Sequence, residues 1–230
     1  MKIAVLLHGS GVYDGTEIQE AVLTYLSIAK AGHTYESIAP DWSQHHVINH
    51  LNGEEMPETR NVLIESARIA RGKIVPLSEA QASNYDALVL PGGFGTAKNF
   101  TQWAFDGPNG SIQPAIRDFL LDFVRRGIPI AALCMSPTTL AKALEATDYA
   151  PLLSVGTSEE SSPYDIGGIS AGLERTGAKI AMKSIREVAI DPRMKIVCAP
   201  CYMMDADIAE VHQNIEQAIA ALIQLAQEKA

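Results

Sequence analysis

The residues best suited to chemistry stand where an apolar segment gives way to a helix pattern. Residues 128–133 form an apolar run of strand length, and Cys134 follows them directly. Ser136-Pro137 then predicts an N-cap followed by proline at the first helical position. Such a turn should hold the thiol above the sheet edge, where the helix dipole favours a thiolate. Cys134 is therefore predicted to be a reactive thiol; the alternative is a buried small hydrophobe, as most free cysteines are.

Two further features come at predicted strand ends and could complete a site. Residues 86–90 predict a buried strand that runs into Gly92-Gly93, where adjacent glycines can point backbone N–H groups outward, as an oxyanion site requires. Glu17 and Glu20 fall in the first turns of a helix, where a carboxylate could exchange protons with a thiol. The alternatives are glycines that only turn the chain and carboxylates that only complement the helix dipole.

The elements that must position these residues alternate between strands and helices. Because buried parallel strands end at a common edge, this alternation predicts a single α/β domain over residues 1–230, doubly wound around a mostly parallel central sheet. A hairpin or edge excursion is predicted at 42–56. Strands are predicted at 2–7, 34–39, 73–77, 86–90, 128–133, 152–155, 179–182, 187–190 and 194–198, and helices at 16–31, 58–71, 114–126, 137–146, 169–176 and 205–229.

Composition narrows the function classes. The 230 residues carry 18 basic and 27 acidic side chains, a net charge of -9, so no nucleic-acid or anionic-membrane partner is expected. No apolar run has the length of a membrane span, and the first residues lead straight into a strand, which predicts a cytoplasmic location. Three cysteines do not make a disulfide framework, so individually reduced thiols are expected.

Three other patterns compete with the cysteine site. Residues 9–11 with Asp41 form a loose dinucleotide-loop pattern, but it leaves the glycine turn and the cysteine unexplained. Histidines at 45, 46 and 50 lack a further spaced ligand, so neither a metal nor another cofactor is expected. Residues 198–201 form a CxxC sequence, but its first cysteine lies inside a predicted strand rather than before a helix.

Several segments resemble a known family. The strand leading into residues 91–95, the cysteine elbow and the glutamates after the first strand together resemble the PfpI superfamily, relatives of the class I glutamine amidotransferases. Longer stretches resemble the ElbB-like proteins (sigma cross-reacting protein, isoprenoid-biosynthesis glyoxalase), namely residues 11–18, 39–41, 60–72 and 91–99. The resemblance implies a flavodoxin-like α/β sandwich, a homodimer, a reactive cysteine and, in some relatives, glyoxalase activity.

The resemblance also assigns roles by position. It makes Cys134 the nucleophile and gives its partner carboxylate as Glu20, counted back from the glycine that ends the first helix, or as Glu17, counted from the loop. The oxyanion site would be the Gly92-Gly93 turn with the N–H groups of Gly93 and Met135. Met135 stands where hydrolytic members carry histidine, which counts against amide hydrolysis and against an amidotransferase-like subunit.

These roles predict a cofactor-independent enzyme of low turnover that converts small 2-oxoaldehydes such as methylglyoxal and glyoxal to 2-hydroxy acids. The alternative is a non-enzymatic redox-sensing or stress-response protein that uses the same cysteine. In the related amidotransferases the turn after the last strand reaches the active site, so Cys201 is a candidate thiol to resolve an oxidised Cys134 as a disulfide.

Overall fold

The computed structural model describes residues 1–228, and within them the chain alternates between strands and helices. The strands are β1 (Lys2–Leu6), β2 (Thr34–Ala39), β3 (Ile74–Pro76), β4 (Ala87–Leu90), β5 (Ile130–Leu133), β6 (Leu152–Leu153), β7 (Lys179–Ile180), β8 (Ala189–Asp191) and β9 (Ile196–Ala199). The helices are α1 (Ile18–Lys30), α2 (Val62–Ile69), α3 (Trp103–Asp106), α4 (Pro114–Arg125), α5 (Pro137–Leu144), α6 (Ile166–Arg175) and α7 (Ile208–Gln227).

Seven strands form the central sheet in the order β3-β2-β1-β4-β5-β9-β8, and only β8 runs antiparallel to its neighbour. The residues of β4, β5 and β9 are all buried, as expected for apolar strands covered on both faces. β6 and β7 pair separately. The prediction of an α/β, flavodoxin-like fold with a mostly parallel central sheet is therefore confirmed.

Helices cover both faces of this sheet. α1 packs against α7, and α4 packs against α5. α7 begins with a capping box in which the Asp207 carboxylate accepts from the Glu210 N–H at 2.9 Å and the Glu210 carboxylate accepts from the Asp207 N–H at 3.1 Å. None of the helices described in residues 1–228 combines the length and apolar character needed to cross a membrane.

Several predicted bounds differ from the structure. Residues 42–56 contain no strand; an isolated antiparallel bridge joins Ile48 to Glu55 around a turn, and another joins Ser43 to Asn61. The helix predicted at 169–176 begins at Ile166, because the Asp165 carboxylate accepts from the Gly168 N–H (2.9 Å) and caps it. The last helix was predicted to reach residue 229, which lies outside the described residues.

The register places the predicted site at one sheet edge. In the three adjacent strands Leu90 pairs with Ala132, and Ala132 pairs with Cys198, so β4, β5 and β9 end side by side. The loop after β1 joins the same edge, because the Gly11–Gly15 turn contacts the residues after β4; the Gly95 N–H donates to the Gly15 carbonyl at 2.9 Å. Ligands of doubly wound sheets bind at this edge.

Candidate active site

Cys134 lies at the predicted turn between β5 and α5. Its φ is 55°, in the left-handed region that non-glycine residues rarely adopt, and its N–H donates to the Ala199 carbonyl at the end of β9 (2.9 Å). Such strain at a strand-to-helix turn is typical of a nucleophile elbow. The side chain is not held in the open as predicted, because only 6% of Cys134 is exposed.

Ser136 occupies the N-cap position of α5 and Pro137 is the first residue of the helix, both as predicted, but the Ser136 side chain makes no capping hydrogen bond. The Ser136 hydroxyl instead donates to the Pro91 carbonyl at 2.6 Å. The same carbonyl lies 3.1 Å from Nε2 of His8, just after β1. Burial lowers the pKa of His8 to about 4, so at neutral pH its ring is uncharged and donates to Pro91. These bonds tie the glycine turn to both β1 and the elbow.

The glycine turn packs directly onto the thiol. A Cβ at Gly92 would lie 2.3 Å from the Cys134 Cβ, and one at Gly93 would lie 2.4 Å from the Glu17 nitrogen. Gly93 also has a φ of 104°, which favours glycine. The backbone N–H groups of Gly93 and Met135 lie near the Cys134 sulfur and lower the pKa of its thiol. The donors proposed for an oxyanion site therefore surround the sulfur, while the Gly92 N–H is used elsewhere.

Glu20, rather than Glu17, contacts the thiol. Its side chain is fully buried in α1, with Oε2 accepting from the Gly92 N–H at 2.8 Å and Oε1 from the Tyr202 N–H at 3.3 Å. It lies beside the Cys134 sulfur, because a Cβ at Gly92 would be 2.6 Å from both Oε2 and that sulfur. Burial, and after it the charge of Glu17, raises the pKa of Glu20 to about 8. Glu20 can therefore both hold and release a proton near neutral pH, as an acid–base group must.

Glu17 caps the start of α1, which explains why its side chain does not contact Cys134. It is the N-cap of α1, and its Oε2 accepts from the Glu20 N–H at 2.6 Å. Its half-buried side chain still lines the pocket beside Cys134, and burial raises its pKa. The structure thus brings both predicted glutamates to the site but places only Glu20 against the sulfur.

The protonation of Cys134 differs from the prediction. The pKa of the thiol is raised well above its usual value by burial and by the neighbouring Glu20 carboxylate, while the N–H groups of Gly93 and Met135 lower it by less. The predicted thiolate stabilisation is therefore outweighed in the resting site, because desolvation penalises the charged sulfur. Since the pKa of Glu20 is raised too, the Cys134 thiol and the Glu20 carboxyl group both hold their protons at neutral pH, where an ordinary carboxyl group would have lost its proton.

A narrow pocket leads to Cys134. The volume of this pocket that the centre of a water molecule can occupy is about 10 Å³, so the pocket has room for about one water. Two of its walls are the aromatic rings of Tyr164 and Phe94, which meet edge to face with centroids 5.8 Å apart. Burial, followed by the charges of Cys134 and Glu20, raises the pKa of Tyr164 to about 12, so its hydroxyl remains a donor. The lining residues are Val12, Glu17, Gly93, Phe94, Cys134, Met135, Tyr164, Tyr202 and Met203.

Sequence reasoning missed the tyrosines of this pocket. Tyr202 follows Cys201 in a turn that was expected near the site, so that signal existed. Tyr164 comes from a polar loop with no local signal. That loop is fixed by a distant contact, in which the Ser162 hydroxyl donates to the Met203 carbonyl at 2.6 Å.

Cys201 lies directly beneath the elbow. It is fully buried with a φ of 49°, its N–H donates to Asn214 Oδ1 at 3.0 Å, and its thiol hydrogen-bonds to the Cys134 backbone. Burial, and then the charges of Glu20 and Cys134, raises its pKa well above the usual value. Both thiols are free. All seven predicted site residues therefore meet at this sheet edge.

Comparisons with known proteins agree with this architecture. The DJ-1/PfpI family model matches residues 1–147. The human glutamine amidotransferase-like class 1 domain-containing protein 3, mitochondrial, is 36% identical over 226 residues, covering 97% of this chain and 83% of its own length. The rat ES1 protein homolog, mitochondrial, is also 36% identical over 226 residues, covering 97% of this chain and 84% of its own.

Solved structures extend the likeness. An isoprenoid biosynthesis protein with an amidotransferase-like domain from Ehrlichia chaffeensis superposes with a TM-score of 0.88 at 28% identity, over 98% of this chain and 99% of the other. Glyoxalase III from Candida albicans shares the fold, with a TM-score of 0.59 at 16% identity over 96% and 97% of the two chains.

The comparisons correct the predicted location and show to which family the chain belongs. The predicted cytoplasmic location is wrong, because the human and rat relatives are named as mitochondrial proteins. The first residues of a chain carry too little information to decide its compartment. Since the family model matches residues 1–147 and the relatives match nearly the whole chain, the protein belongs to the DJ-1/PfpI family.

Proposed function

We propose that the protein is a cofactor-independent glyoxalase-type enzyme that converts small 2-oxoaldehydes such as methylglyoxal and glyoxal to 2-hydroxy acids. The observation that carries the proposal is the fully buried Glu20 carboxyl group beside the Cys134 sulfur, since a Cβ at Gly92 would lie 2.6 Å from both Glu20 Oε2 and that sulfur. This arrangement places a nucleophile beside a carboxyl group with a pKa of about 8, which suits repeated proton transfer. The likeness to the Ehrlichia protein supports an ElbB-like member of the family.

The chemistry begins with addition of the Cys134 sulfur to the aldehyde carbon. Glu20 in its ionised form accepts the thiol proton as the S–C bond forms, and it returns that proton to the new alkoxide oxygen. The N–H groups of Gly93 and Met135, which lie near the sulfur and lower the pKa of its thiol, stabilise the developing oxyanion. The product of this step is a hemithioacetal on Cys134.

Proton transfer between adjacent carbons completes the reaction. Glu20 removes the C–H proton of the former aldehyde carbon, giving an enediolate, and delivers it to the neighbouring carbon. The hydroxyl proton on the former aldehyde carbon passes to the neighbouring oxygen, giving a 2-hydroxyacyl thioester. The Tyr164 hydroxyl donates to the second oxygen of the substrate. Water then cleaves the thioester, which releases the 2-hydroxy acid and restores the thiol. Overall, one 2-oxoaldehyde and one water give one 2-hydroxy acid, with no external oxidant or reductant.

A substitution at Cys134 tests this function. Wild-type protein incubated with methylglyoxal should form lactate, and Cys134→Ser should form it about 1,000-fold more slowly or worse, because the nucleophile is lost. Cys198→Ser is the matched control, since that thiol is buried in β9 and does not line the pocket. Enzymatic determination of lactate measures the rates. Equal rates for wild type and Cys134→Ser would refute the proposal.

The two adjacent thiols favour a second candidate function, oxidant sensing. Peroxide would oxidise Cys134 to a sulfenic acid and release water. The Cys201 thiol, which already contacts the Cys134 backbone, would then attack that sulfur and release a second water as the disulfide forms. Peptide mapping after mild peroxide should find a Cys134–Cys201 disulfide; a Cys134 sulfinic acid beside a free Cys201 would exclude it.

A homodimer is part of the proposal. Ile18, Val22 and Leu26 are each 45–48% exposed and recur every fourth residue along α1, so they form an apolar stripe that a second copy could cover. Because Glu17 and Glu20 belong to the same helix, pairing through this stripe would stiffen the site. Light scattering should give twice the 24.7 kDa chain mass, and a monomeric mass would overturn the assignment.

A further inference from the structure

A second cavity adjoins the Cys134 pocket. It has a volume of about 350 Å³ and shares the Phe94 ring with that pocket as a common wall. Its lining is Tyr13, Ile48, Gly53, Phe94, Lys98 and Ala104, so Lys98 is the only charged side chain among them. Phe94 is thus the residue at which the two pockets meet.

Lys98 has spare hydrogen-bonding capacity. Its Nζ donates to the Tyr13 carbonyl at 2.8 Å and lies 5.7 Å from the centroid of the Phe94 ring. Among the residues that the structure describes, no carboxylate oxygen lies within 4.0 Å of this ammonium group. A lysine ammonium has three N–H donors, so holding the Tyr13 loop uses only one of them.

The carboxylates around Lys98 attract its ammonium group without forming an ion pair with it. Asp14 and Glu55 attract it only from a distance, and burial lowers the pKa of Lys98 more than they raise it. The Asp14 carboxylate is itself occupied by the Ile48 N–H at 2.7 Å. Burial, followed by the charges of His46 and Lys98, lowers the pKa of the His45 ring, and an imidazole supplies no negative charge to Lys98. An anion in the cavity would therefore gain a charge-assisted hydrogen bond in a partly desolvated site.

We propose that Lys98 forms an anion subsite, and that the physiological substrate of Cys134 is a 2-oxoaldehyde carrying a carboxylate or a phosphate group. The inference rests on the proposed function. Phe94 separates the reacting sulfur from the ammonium, so the anionic group would occupy the end of the substrate remote from the aldehyde. Neutral methylglyoxal would use only half of the available site.

The test compares anionic with neutral substrates. The anionic probes are hydroxypyruvaldehyde phosphate and the carboxylate 4,5-dioxopentanoate. For each probe, kcat/KM divided by the value for methylglyoxal should fall about tenfold in Lys98→Met. The probe whose ratio falls further identifies the phosphate or the carboxylate as the preferred group. Lys98→Gln removes the charge but keeps a donor for the Tyr13 loop, which guards against misfolding. Lys179→Met is the matched control, because Lys179 is exposed in β7 outside both cavities.

A second readout does not depend on turnover. The ratio of Cys134 alkylation rates by iodoacetate and iodoacetamide, which differ mainly in charge, should fall several-fold in both Lys98 variants and stay unchanged in Lys179→Met. If wild type turns over none of the three aldehydes, the proposed function fails, and the alkylation ratio alone decides the subsite. If the ratio of alkylation rates stays unchanged in both Lys98 variants, the subsite is overturned, whatever the turnover.

Discussion

Glu20→Gln is expected to lower methylglyoxal turnover about 100- to 10,000-fold while making Cys134 react faster with iodoacetamide. Turnover falls because glutamine cannot accept and return a proton. Alkylation accelerates because the Glu20 carboxylate and its hydrogen bond both raise the pKa of Cys134, so their removal lowers that pKa. A variant that merely distorted the site would lose both reactivities, and so the opposite signs identify the acid–base role.

The comparison variant is Glu17→Gln. The charge of Glu17 raises the pKa of Glu20, so its loss should move the acidic limb of the pH–rate profile, on which Glu20 becomes ionised, towards lower pH and leave most of the turnover. Both variants can be followed by lactate formation and by mass spectrometry of alkylated protein between about pH 6 and pH 10, a range that brackets the raised pKa of Glu20. Should Glu17→Gln lose turnover while Glu20→Gln keeps it, the assignment of the two glutamates would be reversed.

The Glu20→Gln variant also has a consequence for stability. The pKa of Glu20 is about 8 in the folded protein against an ordinary value of 4.5, so the folded state keeps this proton over a pH range in which the unfolded chain has lost it. Stability therefore falls as pH rises from about 4.5 to about 8, by on the order of 1.4 kcal/mol per pH unit from this group. Urea denaturation should find Glu20→Gln more stable than wild type at about pH 8.5 and similar at about pH 4.5.

Gly92→Ala is the second change with a large expected effect. The added methyl group would lie 2.3 Å from the Cys134 Cβ and 2.6 Å from both the Cys134 sulfur and Glu20 Oε2. The Cβ neighbour is fixed by the strained elbow and cannot rotate away. We expect a loss of about 3 kcal/mol, or roughly 6–12 °C in Tm, and turnover at least about 100-fold lower because the reacting pair is pushed apart.

Gly167→Ala is the control for this change. Gly167 is exposed in the first turn of α6, and a Cβ there meets only Asp165 Oδ1, at 3.7 Å. Because alanine is the better helix former, this variant should gain up to about 1 kcal/mol without a change in turnover. Thermal denaturation and lactate assays on both variants check the pair; a Tm for Gly92→Ala equal to that of wild type would contradict the crowding argument.

Much of the site could be predicted because its parts follow the ends of neighbouring strands. The apolar runs before Gly92 and Cys134 identify β4 and β5, and parallel topology then brings their carboxyl ends together. The sequence left Glu17 and Glu20 as alternatives, since both lie near the start of α1. The structure separates them because Glu17 serves as the N-cap, which leaves the residue three positions later to turn inward.

Other properties depend on contacts that no local pattern encodes. The helix dipole at Cys134 is a local feature and predicted a thiolate, whereas the burial that outweighs it comes from several distant segments of the chain. Ser136 has the right residue type for an N-cap, but the Pro91 carbonyl competes for its hydroxyl. Tyr164 reaches the pocket because its loop is bonded to the turn after β9.

The two parts of the pocket come from different stretches of the chain. Glu20, Gly93 and Cys134 lie within residues 1–147, which the family model matches, whereas Tyr164 and Tyr202 lie after them. In evolutionary terms, the later segment can exchange one wall for another while the reacting atoms stay in place. A substitution in the later segment can therefore change what fits beside Cys134 without moving Glu20, Gly93 or Cys134.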